Sequence, residues 1–442
     1  MDWEPIREEA VKYLQDLVRI NTTNPPGNET PAAEYVAEVL RKEGIEAQIV
    51  ESEPGRGNVI ARLKGSGEKG ALLLLSHLDV VPVEPEHWEH DPFGGELIDG
   101  YIWGRGTVDT KQLTVMEMLC LLLAKREGLS LKRDLVLAAT ADEETGGKLG
   151  VEWLVKNRPE LLECEYAINE GGGFGFDLGG KRYYLCDSAE KAPCWIKVKA
   201  KGTPGHASTP RGDNAVLKLA EAIARLGKAR LPMHRTATAE VFIKSLARDQ
   251  KFPNSVLLPL VLNPIFEPLI MRQLPEDSEI KPMLRAMLHN TATPTILRAG
   301  KKTNVIPSEA EAEVDCRVLP GQTKEDLFAE IRPYLGEDIE IEVLTEPMPF
   351  ETDYNTELFT VFQEVIAEED PGAKVVPFML TATTDSRFLA RKGVKVYGFS
   401  PMKPDPKASF LELAHAHNER ISVENLMFGV RVLYKIVKRF CT

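Results

Sequence analysis

Between Ala71 and Asn169 three short apolar runs, ALLLLS, LVLAATA and YAIN, each give way at once to residues that can hold a metal or move a proton: His77, then Asp142, Glu143 and Glu144, then Glu170. Apolar strands ordinarily end in Gly, Asn or Pro turns. The helical pattern TKQLTVMEMLCLLLAKREG separates the first two runs, and strands alternating with helices predict an α/β layer with a largely parallel central sheet. In an open sheet of this kind ligands bind beyond the carboxyl ends of the strands. The predicted cleft is therefore polar and acidic.

Near Ala192 the pattern changes to β-rich CWIKVKAKG, the helical NAVLKLAEAIARLG, TPTILRAG, EAEVDCRVL, the helical TKEDLFAEIRPYL and IEIEVLT, a compact α+β set. After EPMPFETD, helix and strand alternate again to the end. At roughly 150 residues per domain, a chain of 442 residues accommodates this as one discontinuous α/β domain, residues 1–190 and 345–442, interrupted by a smaller domain, residues 191–344. The stretch from Lys251 to His289, rich in Pro and apolar residues, either caps the insert or lines an interface.

Composition narrows the function class. With 43% hydrophobic and 27% charged residues the chain is average for globular proteins. Its 54 Lys and Arg against 67 Asp and Glu leave a net charge of −13, which repels polyphosphate backbones, so no nucleic-acid partner is expected. The amino terminus reads as an amphipathic helix with early acids, and the most apolar segments are too interrupted to cross a bilayer. Six scattered cysteines without a CxxC pair fit reduced thiols better than disulfides or a thiolate zinc site. A cytoplasmic protein without a membrane partner is the expectation.

Taken singly, the polar residues have bland readings. His77 followed by Asp79 fits a hydrogen-bonded core histidine, though the carboxylate at that spacing can also accept the second ring N–H and fix which nitrogen faces a metal. Glu143 and Glu144 fit a solvated turn, though one of two such acids can bind metal while the other takes a proton. Together with Asp109 in GRGTVDTK and the histidines of AHAHNERI, they supply oxygen and imidazole donors for two divalent ions. Without a thiolate the set suits Zn, Mn or Co, with zinc first.

The blocks SHLDVVP, WEHDPFGG, GRGTVDTK, ADEETGG, INEGG, KGTPGHAS, NVIPSEAEAEVDCR, TDSRF and HAHNER, in this order over nearly the whole chain, resemble the di-zinc aminoacylase and carboxypeptidase family, which includes succinyl-diaminopimelate desuccinylase. The resemblance implies hydrolysis of an amide bond by a metal-bridging water. It implies that His77 and Glu170 hold one ion, that Glu144 and His415 hold the other, that Asp109 bridges them, and that Asp79 orients His77. Counting three residues back from Asn418 selects His415 and leaves His417 without a role. Glu143 would be the general base. The insert would be a lid and dimerisation domain, His206 would stabilise the oxyanion in the partner subunit's site, and Asn304 and Arg317 would bind the substrate's carboxylate or backbone.

Thr110, Lys111 and Gln112 depart from the family's usual Asp or Met, then Lys, then Gly, which questions the backbone just beyond Asp109. An N-acyl amino acid is the favoured substrate, because the apolar stretch Leu258 to Met271 offers room for an acyl chain. A dipeptidase or carboxypeptidase is the alternative within the enzymes, and a non-catalytic metal-binding relative is the remoter one.

Overall fold

The structure is a computed structural model that describes residues 2–273 and 280–442. Its contacts divide into two compact units: Met1–Ser188, Thr352–Phe378 and Thr384–Thr442 form the first, and Ala189–Glu351 with Met379–Thr383 the second. By contact, residues 345–351 and 379–383 thus belong with the inserted unit.

In the first unit six strands lie side by side in the order Ala47–Glu51, Gly57–Leu63, Leu135–Thr140, Leu72–His77, Tyr166–Asn169 and Lys395–Gly398. The last four are mutually parallel, whereas the first two pair antiparallel, so the sheet is mixed with a parallel centre. Every residue of Leu72–His77 and Leu135–Thr140 is buried, as parallel strands covered on both faces require. The register sets His77 beside Thr140 and Leu74 beside Ile168. The chain therefore leaves all three strands on one edge, and the residues just beyond them are gathered there.

Helix Lys111–Arg126 packs between this sheet and the helices Glu4–Arg19 and Val423–Cys441. Its burial runs unbroken from Lys111 to Ala124, in keeping with a helix that is apolar nearly all round. Glu4–Arg19 buries only the stripe Ile6, Ala10, Leu14, Leu17 and Val18. The segment that departs from the family pattern is built into this interior. Lys111 Nζ donates to the carbonyls of Leu17 and Ile20 at 3.0 and 2.8 Å, satisfying acceptors left over at the end of the first helix. Gln112 Nε2 donates to Val108 O at 2.6 Å.

The second unit has its own sheet. Glu309–Val318 pairs with Ile196–Lys201 on one side and Thr291–Ala299 on the other, and Ile339–Val343 adds beyond Ile196–Lys201. Alternate residues Ala310, Ala312, Val314, Cys316 and Val318 turn inward onto helices Ala215–Gly227 and Lys324–Leu335. Between residues 237 and 288 the unit carries helices Ala237–Asp249, Asn254–Leu260, Glu267–Met271 and Ile280–Leu288. The stretch left unassigned from sequence is thus largely helical, and it exposes Phe252, Val256, Ile265 and Leu269.

Candidate metal centre and active site

Five of the residues singled out in the sequence converge at the carboxyl edge of the first unit's sheet. Asp109 stands at the centre: its Oδ1 lies 3.3 Å from His77 Nε2 and its Oδ2 lies 3.1 Å from His415 Nε2. Glu170 Oε1 is 3.6 Å from the same nitrogen of His77, and Glu144 Oε2 is 3.1 Å from that of His415. One carboxylate therefore faces two imidazoles, each with a further carboxylate of its own. Among the described residues two groups have ligand atoms all within 4.8 Å of one another: His77, Asp109 and Glu144, and His77, Glu143 and Glu170.

The electrostatics fit divalent cations. Burial, then the charge of Glu170, pushes Glu143 well above the usual carboxylate range. Burial also raises Glu170 and lifts Glu144 to about 7 against the pull of His415. Asp109 is held low despite its burial because both histidines face it. Burial opposes charge on His77, yet Glu170, Asp109 and Asp79 together raise it well above its ordinary value; hydrogen bonds to Asp109 and Glu144 raise His415 to about 10. Glu144 Oε1 and both carboxylate oxygens of Asp385 are buried without a hydrogen-bond partner. Oxygen and imidazole donors so crowded, with acceptors left open, are a set that divalent ions neutralise.

A second ring of residues fixes this set. Asp79 faces His77 with both its main chain and its side chain: His77 Nδ1 lies 3.0 Å from Asp79 O and 3.5 Å from the carboxylate. The Asp79 carboxylate also accepts from the backbone N–H groups of Glu143 and Glu144, both at 3.1 Å, and from Asn24 Nδ2 at 2.8 Å. It holds the turn that carries the two acids. Asp142, which starts that turn at φ 74°, accepts from Arg56, Asn24, Thr145 and the Leu149 N–H, and Arg56 forms a buried fork with Glu29. These bonds stabilise a left-handed conformation that costs a non-glycine residue.

Glu419 plays the matching part on the other side. Its Oε1 accepts from the N–H groups of Gly106, Val108 and Asp109, and its Oε2 pairs with buried Arg105 at 2.6 Å. The loop of His415 is thereby tied to the loop of Asp109. Gly147, at φ 71°, leaves room for Asp385, since a Cβ there would stand 2.1 Å from Asp385 Oδ1. Asn24, Arg56, Arg105, Asp385 and Glu419 had no assigned role in the sequence. Arg105, Asp385 and Glu419 do lie inside the blocks GRGTVDTK, TDSRF and HAHNER, as charged residues beside proposed ligands, and that adjacency was the available signal.

His206, Asn304 and Arg317 lie in the second unit. Gly205–His206 pairs with Val305–Ile306, and Ala207 N donates to Asn304 O at 3.0 Å, so His206 and Asn304 are neighbours. The Ser208 N–H points at His206 Nδ1 at 3.2 Å. Ser208 Oγ lies 2.7 Å from the same nitrogen, and an Nδ1 that accepts from Ser208 leaves the ring N–H on Nε2, the arrangement an oxyanion needs. Arg317 gives its Nε and Nη2 edge to Asp315 at 2.8 and 3.0 Å, which leaves the end-on Nη1/Nη2 pair for another carboxylate. His417 bonds to Glu84 and stacks near His87.

Comparison with known proteins agrees with this geometry. Residues 73–439 match the family model described as peptidase family M20/M25/M40. The chain is 27% identical over 450 residues to the N-fatty-acyl-amino acid synthase/hydrolase PM20D1 of Xenopus tropicalis, covering 98% of this chain and 86% of that protein. It is 28% identical over 438 residues to aminoacylase-1A of Rattus norvegicus, covering 97% and 94%. Among solved structures, an M20 family metallo-carboxypeptidase from Sulfolobus solfataricus superposes with a TM-score of 0.73 at 19% identity, covering 99% of each chain. The chain belongs to peptidase family M20/M25/M40 and is a metal-dependent hydrolase of amide bonds in acylated amino acids or peptides.

Proposed function

We propose that this protein is a di-zinc amidohydrolase that cleaves N-acyl amino acids. His77 and Glu170 hold one ion, Glu144 and His415 the other, and Asp109 is shared between them. The observation that carries this reading is the placement of the two Asp109 oxygens, each facing one histidine. A bound ion pair would supply Lewis acidity for the amide carbonyl and bring the acidity of a water near neutral pH. Glu143, which the Asp79 carboxylate fixes through the backbone, takes that water's proton and delivers it to the departing amine nitrogen. In the proposed homodimer His206 Nε2–H donates to the oxygen that gains charge in the partner subunit's site, and Asn304 with the open edge of Arg317 binds the substrate's carboxylate.

Both named relatives act on acylated amino acids by their descriptions, which supports the acyl substrate over a dipeptide. A homodimer through the inserted unit is part of the proposal. Strand Thr291–Ala299 is paired on one side only among the described residues, Leu297 on it and Leu217 on helix Ala215–Gly227 are more than half exposed, and a bare edge of this length invites pairing with a second copy. Six unpaired thiols suit a reducing compartment, so a cytoplasmic location is proposed. Among the described residues no helix is long and apolar enough to cross a membrane.

The test is a mass-spectrometric screen of acyl amino acids beside dipeptides, with metal content measured on the same sample. Acyl amino acids are expected to turn over faster, chelation to abolish turnover, and zinc, cobalt or manganese to restore it. Preferential dipeptide cleavage would overturn the substrate assignment, and full activity after exhaustive chelation would overturn the metal assignment.

A further inference from the structure

The inserted unit contains a cavity of about 600 Å³ that the proposed chemistry does not use. Its charge opposes that of the chain. Arg230, Arg272 and Arg285 line it together with Lys281, against one acid, Glu267, in a protein whose net charge is −13. Among the described residues none of the three arginine side chains forms an ion pair or a hydrogen bond, although most other arginines of the chain do. Three guanidinium groups that line one hollow and pair with no carboxylate among the described residues, Glu267 included, are a recognition device for an anion.

The rest of the wall says what kind of anion. Leu231, Met233, Pro264, Pro268 and Met271 supply an apolar lining, and two methionines give a surface that adapts to a flexible chain. His289 adds one polar atom: its Nδ1 donates to Leu231 O at 2.8 Å, while its Nε2 is buried without a hydrogen-bond partner and lies 3.8 Å from Glu267. The volume falls within the range of small-molecule sites. An apolar wall with an arginine rim fits a molecule that is apolar for most of its length and ends in a carboxylate.

We propose that this cavity of the second unit is a ligand site for an amphiphilic carboxylate such as a medium-chain fatty acid. The inference rests on the second unit alone and stands whether acyl amino acids or dipeptides are the substrate.

The test is calorimetric titration of the metal-loaded full-length chain with laurate below its aggregation concentration. The triple variant Arg230→Gln/Arg272→Gln/Arg285→Gln is expected to weaken laurate binding at least tenfold while leaving turnover of a short acetyl amino acid within twofold. Glu267→Gln removes the opposing acid and is expected to tighten laurate binding threefold or more, which keeps the proposal testable should the triple variant fold poorly. Dodecanol is expected not to compete. Laurate binding unchanged in the triple variant, or weakened by Glu267→Gln, overturns the proposal, as does dodecanol binding as tightly as laurate. Citrate or inorganic phosphate binding as tightly as laurate, with the same loss in the triple variant, would make this a simple anion site and also overturn it. So would a tenfold gain in Glu276→Gln/Asp277→Gln/Glu279→Gln, because the arginines would then serve the chain's own acids.

Discussion

The two units treat charge in opposite ways. The first gathers acids: Asp109, Glu143, Glu144, Glu170 and Asp385 lie around two histidines, while its buried arginines are each matched to a carboxylate, Arg56 to Glu29 and Arg105 to Glu419. The second gathers cations, with three arginines open around a cavity. Pairing in the surroundings makes the unpaired set meaningful. Glu117, buried with neither carboxylate oxygen hydrogen-bonded, stands in the first unit as a lone acid, whereas a cluster of unpaired charges of one sign identifies the ligand's sign: cations for the first unit, an anion for the second.

The strongest challenge to the first half of that contrast is Asp109→Ala. With the shared carboxylate gone, His77 and His415 lose the group between them, and the variant is expected to lose both ions by elemental analysis and all measurable turnover. Retention of two ions would break the bridging assignment. Glu143→Ala sharpens the same point. If Glu143 moves protons and does not hold metal, turnover falls by roughly 10²–10⁴-fold with the metal content unchanged. Because Glu143 also stands within ligand distance of His77 and Glu170, loss of one ion from this variant would make it a ligand instead.

Arg105→Met tests whether matched charge holds the acidic unit together. It leaves Glu419 buried without its cation, and breaking a buried pair costs about 3–5 kcal/mol. Urea unfolding of metal-free samples is the measurement, so that ion binding does not mask the change. A shift below about 1 kcal/mol would mean that the three backbone N–H groups on Glu419 suffice by themselves, since each such bond contributes about that much.

How much of this could be read in the sequence follows from the same physics. His77, Glu143, Glu144 and Glu170 were legible because each ends a buried parallel strand or lies within a few residues of its end, where a polar residue has to be explained. Asp109 and His415 needed the motif resemblance, since they sit on loops whose meeting depends on Arg105 and Glu419, more than three hundred residues apart. The further part of the Asp79 carboxylate was not legible, because the two-residue spacing points only to His77; only the fold shows that the Glu143 and Glu144 amides also bind it. The cavity of the second unit had no sequence signal at all. Its arginines come from a loop, the end of one short helix and the middle of another, with neither spacing nor strand ends to draw attention to them.

The smallest expected effect concerns the one buried lysine in each unit that meets carbonyls and not a carboxylate. Lys191 Nζ donates to Ala286 O at 3.0 Å, His289 O at 2.8 Å and Thr291 Oγ at 3.4 Å, and burial, then the charge of Arg317, pulls it down to about 7 against Asp315 and Glu330. Lys111 in the first unit is also pulled down to about 7 by burial. An unfolded lysine keeps its proton to about pH 10.4. Between about pH 7 and that value the unfolded chain binds more protons than the folded one, so stability rises with pH across this window and is flat below it, where both states are protonated. Lys191→Met is expected to flatten part of that rise in the urea midpoint, and Lys191→Met/Lys111→Met to flatten more of it. A slope unchanged in both variants would mean that the carbonyls around each Nζ keep the ammonium as well solvated as water does, in the acid-rich unit and in the arginine-lined one alike.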